Sequence, residues 1–582
     1  MTDRRSLVGP TVGQLAFCRA RPLGLRLLPA GQGPPLRTPF EREDVMKSTL
    51  LGATRGKGLL LTFICVGIFM VYLDSTIVNV ALPEIQDDLS ADMTQLQWVI
   101  NAYALVVACL LLTAGTLGDI FGRKRIFLGG LVGFLAASVL CAIAPDYEFL
   151  LVARVLQGAA GSIMIPVSLA LVSTTYPAPA ARARAIGIWA GIGGLALAAG
   201  PVLGGVLVDA FGWQSIFWVN LPFGLVALAV LSGKLTESKA PTRRRADVLG
   251  QTLFIVAMAG LVYGLIEASA RGWGDSVILG SFGVAIVALV AFVVWELRQE
   301  DPMLPMNLFR SPVLVVAGAV NFLGLFGLYG SIFLLTFYLQ QVNGLSTTAA
   351  GVRFLALNVS IMVFSYIASV VAAKFGPKLP ILIGSVASAV GLFALAQLEP
   401  GSGFGSYWWA MALLGAGVSL VGAPATVALL SSVRPEQAGT ASGVSNTFRQ
   451  VGSVFGVALT GTLLIQHLRD AVPDALKGVD LDPAARGETA ALLSSGDLSV
   501  IAGLPERIQD PVRDAVAPIF TDGLQIGFTA AALGTTVGGL LALMILPSRK
   551  KIAAARAAAA SAPDTPDPSG YGKQNEPPRS RA

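Results

Sequence analysis

Charged side chains are scarce in this sequence. They make up 13% of its 582 residues, while hydrophobic residues make up 54%; ordinary soluble domains carry about 25% charged residues. A soluble chain of this length would lack the charge to cover its surface, so we expect lipid to surround much of it. The composition therefore predicts an integral membrane protein.

Histidine and cysteine are also rare. The one histidine is His467, and the four cysteines form no CxxC or other metal-ligand spacing, which argues against a metal site and a disulfide framework. No phosphate loop of the form GxxxxGK[ST] and no nucleophile–base pairing can be recognised, so we expect no enzyme, no cofactor and no bound metal. The net charge of +6 comes from basic residues in short loops, which argues against a nucleic-acid partner.

Long apolar runs separated by short polar turns fill most of the chain. A membrane-spanning helix needs about 20 apolar residues, and these runs predict an all-α polytopic membrane protein with about fourteen spanning helices. The predicted spans are 59–80, 97–117, 126–145, 149–171, 184–208, 213–232, 248–268, 277–297, 313–339, 347–373, 378–397, 406–428, 441–466 and 522–546.

Basic residues are concentrated in alternate short loops, as at 123–125, 243–245 and 549–551. The opposite short loops offer only Arg271 and Arg353. The positive-inside rule then places both termini in the cytoplasm of a cell that carries the protein in its plasma or inner membrane.

An internal repeat divides the spans into two groups. The motif at 119–124, after the second span, is echoed at 373–378, after the tenth, and 158–161 is echoed at 415–417. Duplicated halves around a central site are common in secondary transporters. We predict two six-helix halves, at 58–232 and at 313–546, joined by a linker with two inserted helices at 233–312. The second half contains an outer loop at 467–521. The predicted cytoplasmic tails are 1–57, which lacks stable structure and has Met46 as an alternative start, and 547–582, which is disordered.

Two opposite charges lie inside predicted spans at similar depth. Asp74 lies roughly 22 Å from the cytoplasmic end of the first helix, in its outer third, and Arg154 enters the fourth helix from outside. Intramembrane charges cost about 2.5–3.5 kcal/mol each and usually mark a function. Without an ATP-binding loop, transport needs an ion gradient, so Asp74 and Arg154 are the predicted proton-coupling residues. The alternative is a fixed ion pair that only joins two helices.

The loop after the second span carries the most specific pattern, with Gly115, Asp119, Gly122 and Arg123. Asp119 ends a helix beside basic residues, where it can pair with Arg123 and with the positive N-terminal end of a helix from the other half. Breaking that contact would release one half from the other, so these four residues are the predicted gate. The alternative is a tight, positively charged turn that only sets topology.

Glycine and proline are concentrated in the fifth span, at Gly200, Pro201, Gly204 and Gly205. Small residues allow helices to approach closely, and proline removes one helical hydrogen bond and allows a bend. We predict that this run acts as a pivot or a seal and binds no ligand. Polar residues of other spans are the predicted lining of a substrate cavity: Asn79, Asn101, Tyr103 and Gln157.

These motifs resemble those of the major facilitator superfamily, specifically its fourteen-helix drug:proton antiporter branch (EmrB/QacA type). The loop 115–128 resembles the superfamily signature between helices 2 and 3, and the residues around Asp74 resemble the first-helix motif of the branch. Arg154, Gln157 and Gly158 resemble the fourth-helix motif associated with proton transfer. The run 200–205 resembles the antiporter motif of helix 5, and the match is dense over 59–232.

The resemblance implies alternating access between two six-helix halves, with proton uptake exchanged for substrate export. It places Asp74 and Arg154 in coupling and Asp119 and Arg123 in the gate. The expected partners are a small-molecule substrate, protons and membrane lipid; whether an accessory periplasmic partner is needed stays open. The tenth and thirteenth predicted spans contain no acidic residue, which disfavours strongly cationic substrates.

The expected function is therefore proton-coupled efflux of drugs, antibiotics or similar small amphipathic molecules. Two alternatives stay open at the level of the sequence. The first keeps the fold but exports one endogenous metabolite, lipid or siderophore. The second is a membrane sensor or scaffold that transports nothing, although a static scaffold needs neither the gate motif nor the helix-5 motif.

Overall fold

The computed structural model describes residues 39–239, 247–299, 302–433, 438–498 and 500–546, which are almost entirely helical and contain no β-strand. The chain divides into the units Met1–Gly56 and Lys57–Ala582. The helices long and apolar enough to cross a membrane lie in the second unit.

The first nine helices are α1 (Pro39–Leu89), α2 (Met93–Phe121), α3 (Arg123–Ala142), α4 (Tyr147–Thr175), α5 (Pro179–Phe211), α6 (Ser215–Trp218), α7 (Asn220–Lys234), α8 (Val248–Arg271) and α9 (Ser276–Arg298). The next nine are α10 (Pro312–Phe337), α11 (Thr347–Arg353), α12 (Leu355–Phe375), α13 (Lys378–Leu395), α14 (Phe404–Ser431), α15 (Ala438–Ala475), α16 (Pro483–Ser494), α17 (Val500–Gly503) and α18 (Glu506–Ile545). A π-helical turn, Tyr338–Val342, extends α10, and 3₁₀ turns occur at Met306–Arg310 and Leu476–Gly478.

Fourteen helical stretches of the described chain are long and apolar enough to cross a membrane. This number confirms the predicted all-α polytopic class with about fourteen spans. Two of the stretches contain a break: α6 joins α7 in one, and α11 joins α12 in another.

Helices occupy both ends of the stretch 467–521, which the sequence predicts as an outer loop. α15 continues to Ala475, and α18 already begins at Glu506. These helices extend into the predicted loop because apolar residues continue at helical spacing beyond the ends of the predicted spans. Leu468 and Val472 of α15 are fully buried in the same apolar cluster as Val516 of α18.

The two predicted tails lie mostly outside the described residues. The residues outside the description include 1–38, the whole of 547–582 and the basic run 243–245. α1 begins at Pro39, inside the predicted tail 1–57, and it continues to Leu89, beyond the predicted end of the first span. Asp74 consequently lies near the middle of the spanning stretch Lys57–Leu89 and not in its outer third.

Two glycines end helices at equivalent places of the internal repeat. Gly122, between α2 and α3, has φ +109°, and Gly376, between α12 and α13, has φ +84°. Glycine adopts such positive φ values without the steric penalty that a Cβ atom brings. The sequence repeat therefore corresponds to the same kind of turn in both places.

α15 lies in the interior of the bundle. It packs against α10, α18, α2 and α8, so neighbouring helices rather than lipid surround most of it. α2 and α15 come from different predicted halves, and α8 packs against both of them as well as against α9. Residues of α2 and α15 thus face each other across the central interface.

Candidate functional site

A buried ion pair joins α1 to α4. Arg154 Nη1 donates a hydrogen bond to Asp74 Oδ2 at 2.5 Å, and neither side chain is more than 1% exposed. Charges buried this deeply persist when they are paired and fully hydrogen-bonded. The structure thus brings together the two residues that the sequence predicts for proton coupling.

Gln157, one turn after Arg154 on α4, completes the network around the carboxylate. Its Nε2 donates to Asp74 Oδ1 at 2.9 Å and to Ser138 Oγ at 3.1 Å, while its Oε1 accepts from Arg154 Nη1 at 2.6 Å. Arg154 Nε donates to the carbonyl of Val99 at 3.1 Å. Each oxygen of Asp74 therefore accepts one hydrogen bond, and a carboxylate oxygen has a second lone pair that can take up a proton.

The glycine that follows Gln157 determines how closely α2 approaches the network. A Cβ atom at Gly158 would lie 2.7 Å from the carbonyl oxygen of Tyr103, so only glycine permits this distance between the helices. As a result, the Arg154 guanidinium carbon lies 4.4 Å from the centroid of the Tyr103 ring, within the range of a cation–π interaction. The Tyr103 hydroxyl donates to the carbonyl of Val71 at 3.0 Å, which fixes the ring.

A small cavity adjoins the ion pair. Arg154 and Tyr103 line it from the first predicted half, and Tyr329, Gln450 and Ser453 line it from the second. Its remaining lining residues are Ser75, Val78, Ile100 and Ala104. Both predicted halves therefore contribute to its wall.

Of the four predicted cavity residues, only Tyr103 lines this cavity. Gln157 belongs to the buried network, and Asn79 donates to the carbonyls of Ser75 and Thr76 at 3.3 Å. Asn101 is completely buried, and its side chain has no hydrogen-bond partner among the described residues. The face of α2 that carries Ile100, Tyr103 and Ala104 points into the cavity, so Asn101 is turned away from it.

Three of the predicted gate residues, Asp119, Gly122 and Arg123, lie at the turn between α2 and α3, and Gly115 lies earlier in α2. Asp119 accepts hydrogen bonds from Arg123 Nε at 3.0 Å and from Arg123 Nη2 at 2.8 Å. In the described part of the chain, the carboxylate of Asp119 bonds to no residue of the other predicted half. A Cβ at Gly115 would meet only Pro166, at 3.7 Å, whereas one at Gly122 would meet the Glu237 carboxylate at 2.7 Å.

The predicted pivot residues of α5 pack against α1. A Cβ atom at Gly200 would collide with the Thr76 hydroxyl, and one at Gly204 would lie 2.8 Å from Ile77 Cγ1. Thr76 Oγ1 also donates to the carbonyl of Leu197 in α5 at 3.3 Å. α1 and α5 therefore contact each other directly within three residues of Asp74.

The same run of α5 also meets α11 of the other predicted half. A Cβ atom at Gly205 would lie 2.5 Å from the carbonyl oxygen of Thr347, and one at Gly351 would collide with the carbonyl of Pro201. Backbone thus lies against backbone on both sides of the contact. The run 200–205 thus contacts the other predicted half at this end, which is the outer end in the predicted topology.

Hydrogen bonds between the predicted halves surround this contact. Asp209, at the end of α5, accepts from the backbone of Thr347 at 3.2 Å and of Thr348 at 2.8 Å, and also from the Thr347 hydroxyl. Gln340 Nε2 donates to the carbonyl of Val80 at 2.9 Å. Sequence reasoning missed these residues, because an aspartate and a threonine at span ends are typical of ordinary solvated turns.

The sequence profile of the Major Facilitator Superfamily matches residues 64–457, and the chain belongs to this superfamily of membrane transporters. It is 37% identical over 486 residues to the tetracenomycin C resistance and export protein of Streptomyces glaucescens, with 82% of this chain and 90% of the relative covered. It is 35% identical over 479 residues to the multidrug resistance protein Stp of Mycobacterium tuberculosis (strain ATCC 25618 / H37Rv), with 81% and 89% covered. The predicted family is thereby confirmed, and the chain is a multi-pass membrane protein.

A solved structure shows the same fold. A bacterial homologue of the human lysosomal transporter Spinster, in an inward-facing and unoccupied conformation, matches with a TM-score of 0.59. The two chains are 16% identical, and the match covers 84% of this chain and 97% of the other. The helical bundle is thus that of the superfamily.

Proposed function

We propose that this transporter exports drugs, antibiotics or similar small amphipathic molecules in exchange for protons and that it is not an enzyme. The relatives named for resistance and export of such compounds support this function. In the proposed arrangement, the six-helix halves 58–232 and 313–546 alternate in access, with α8 and α9 as an inserted pair. The protein would lie in the plasma or inner membrane, surrounded by lipid, with both termini in the cytoplasm.

The observation that carries the proposal is the ion pair of Asp74 and Arg154 at the wall of a cavity between the halves. A proton on Asp74 neutralises the carboxylate, and Arg154 then loses its charged partner. Because the Arg154 side chain also lines the cavity, the charge state of Asp74 changes the surface that a substrate meets. Proton uptake and substrate release are linked in this way.

The contacts at the two ends of the bundle support alternating access. At the end where α5 meets α11, the halves are joined through Gly205 and Asp209. At the opposite end, Asp119 bonds to Arg123 of its own half. We interpret this conformation as closed to the outside, and we expect Asp119 to contact the second half in the outward-facing state.

The driving force is sufficient for export. One proton that crosses a potential of 100 mV supplies about 2.3 kcal/mol. At about 1.4 kcal/mol per tenfold concentration ratio, this supports a gradient of roughly 40-fold for a neutral substrate.

Replacing Asp74 by asparagine tests the proposal. In proteoliposomes with an imposed pH gradient, we expect Asp74→Asn to abolish both substrate transport and the accompanying proton flux, because asparagine cannot take up the proton. Loss of one partner of a buried pair destabilises by about 3–5 kcal/mol, so thermal unfolding and membrane insertion are measured in parallel. Asp74→Glu, which retains a titratable carboxyl group, should keep part of the coupling.

Asp88→Asn is a matched control on the same helix. Asp88 accepts a hydrogen bond from Trp213 Nε1 at 2.7 Å, at the end of α1 and away from the cavity. We expect this variant to transport at a rate near that of the unaltered protein. Unchanged transport by Asp74→Asn at every pH would refute the proton-coupling role.

The second candidate function is the export of a single compound. One relative is named for a single antibiotic, tetracenomycin C, which favours a narrow substrate range as the alternative. Growth inhibition by a panel of antimicrobials and dyes, with and without an uncoupler, separates the two. Protection against one compound alone would favour the dedicated exporter.

A further inference from the structure

Arg449 lies inside the bundle and has no counter-charge among the described residues. It is eleven residues after the first residue of α15, about 17 Å along the helix at 1.5 Å per residue. No carboxylate of the described chain forms an ion pair with its guanidinium, in contrast to Arg154. Arginine within a spanning helix is costly and usually faces a cavity or pathway.

The side chain of Arg449 lies on the cavity side of α15. The next residue, Gln450, and Ser453, one helical turn further on, both line the cavity beside the buried ion pair. Arg449 is partly exposed, and its guanidinium is close enough to Tyr72 and Tyr329 for electrostatic interaction. Since α15 is enclosed by α10, α18, α2 and α8, this exposure faces the interior of the bundle and not lipid.

The charges around the cavity do not cancel. Asp74 and Arg154 neutralise each other through their hydrogen bond. Of the helices packed against α15, α10 contains no charged residue, and no carboxylate of α2, α8 or α18 forms an ion pair with Arg449. Within the described residues, Arg449 therefore places one uncompensated positive charge beside the cavity, while Tyr103 and Tyr329 provide aromatic surface.

We propose that Arg449 is the anion-binding residue of the cavity and that the preferred substrates are aromatic molecules with one carboxylate or phenolate group. The inference rests on the proposed export function. Hydrogen bonds between arginine and an oxyanion are among the strongest in proteins, and a bound anion supplies the counter-charge that Arg449 lacks. A cation of the same shape would be repelled, and a neutral analogue would leave the guanidinium unpaired.

Binding of three probes with the same ring tests the proposal. The probes are 2-naphthoate, 2-naphthamide and 2-naphthylmethylammonium, titrated by fluorescence into the purified full-length protein. We expect the unaltered protein to bind naphthoate about tenfold more tightly than naphthamide, the ratio typical of one hydrogen bond to a charged group, and to bind the cation most weakly. Arg449→Gln should lower naphthoate affinity to that of naphthamide and leave naphthamide within about twofold, while Arg449→Lys should retain part of the preference.

Arg469→Gln is the matched control. Arg469 lies on the same helix, and its Nη1 donates to the carbonyl of Ala270 at an exposed position. Its replacement removes the same charge from α15 outside the cavity, so the order of the three affinities should not change. A similar loss of naphthoate binding in this control would contradict a specific role for Arg449.

A second variant leaves Arg449 in place and so does not depend on whether its removal is tolerated. Gln450→Glu introduces a carboxylate into the cavity wall beside the guanidinium. We expect binding of naphthylmethylammonium to rise and that of naphthoate to fall, each by about tenfold, with naphthamide unchanged. An unchanged order of affinities in Gln450→Glu would count against the proposal.

Three results would overturn the inference: no preference of the unaltered protein for naphthoate, unchanged naphthoate binding in Arg449→Gln, or an equal loss of all three probes in that variant. The last would identify a role in packing or coupling. Failure of the proposed export function has a different signature, since it would abolish gradient-driven transport of every probe in proteoliposomes while the charge preference in binding persisted.

Discussion

The close contact between Gly205 and Thr347 predicts that a single added methyl group strongly shifts the conformational equilibrium of the transporter. In Gly205→Ala, the new Cβ atom would lie 2.5 Å from the carbonyl oxygen of Thr347. Carbon atoms reach favourable contact at about 3.5 Å, so α5 and α11 must separate by about 1 Å. The obstacle is backbone, and the hydrogen bonds from Thr347 and Thr348 to Asp209 hold it in place.

Such overpacking costs about 1–3 kcal/mol. The penalty applies only to the conformation in which α5 and α11 touch. We therefore expect the conformational equilibrium to shift by about 5- to 150-fold towards the state in which the bundle is open at the α5–α11 end. Substrate transport should slow accordingly, while substrate binding in the outward-open state should persist.

Spin labels on the two halves measure the shift directly. Val206 of α5 and Val352 of α11 are 50% and 48% exposed and can carry labels without disturbing the contact. Gly194→Ala is the matched control, because a Cβ atom at Gly194 meets nothing within 4 Å and the change in helix propensity is the same. Identical label distances and transport rates in the two variants would refute the closure mechanism.

Three further variants test neighbouring parts of the mechanism. Asp209→Ala removes the carboxylate that accepts hydrogen bonds from the start of α11; losing such an acceptor costs about 1 kcal/mol, so the equilibrium should shift towards the open state by roughly fivefold, which the label distances would report. Asp119→Asn should slow turnover more than it weakens substrate binding, and lost affinity with preserved turnover would contradict a gate. Gly200→Ala, whose Cβ would collide with the Thr76 hydroxyl, should reduce the number of protons moved per substrate, as measured by simultaneous pH and substrate recording. An unchanged ratio of protons to substrate would show that the packing of α5 does not affect the proposed proton site.

The sequence predicts the ion pair although it places Asp74 too far towards the outside, because charges inside apolar helices are conspicuous. Asp74 and Arg154 are rare charges in apolar helices, and their cost makes them recognisable. Helix count and class follow from the same physics, since lipid requires long apolar helices. These features depend on local composition and need no knowledge of how the helices pack.

The cavity wall from the second predicted half is much harder to predict. Tyr329, Gln450 and Ser453 carry no charge at neutral pH, and polar or aromatic residues of this kind occur in many spans. Their position opposite Arg154 depends on how α10 and α15 rotate and cross, which the linear spacing does not determine. The same limit explains Asn101, whose polarity suggests a cavity although the packing of α2 turns it away from one.

The proposed proton site and the proposed closure of the bundle share one pair of helices. Asp74 lies on α1, and Thr76 and Ile77, two and three residues later, are in direct contact with Gly200 and Gly204 of α5. The next glycine, Gly205, meets the other predicted half.

Close-packed helices respond to a displacement by repacking into a second arrangement rather than by gradual deformation. A change in the hydrogen bonds of Asp74 that shifts this part of α1 must therefore disturb the α5 surface that contacts the other predicted half. Proton uptake and opening can be coupled over less than two helical turns, without a long chain of intermediate residues.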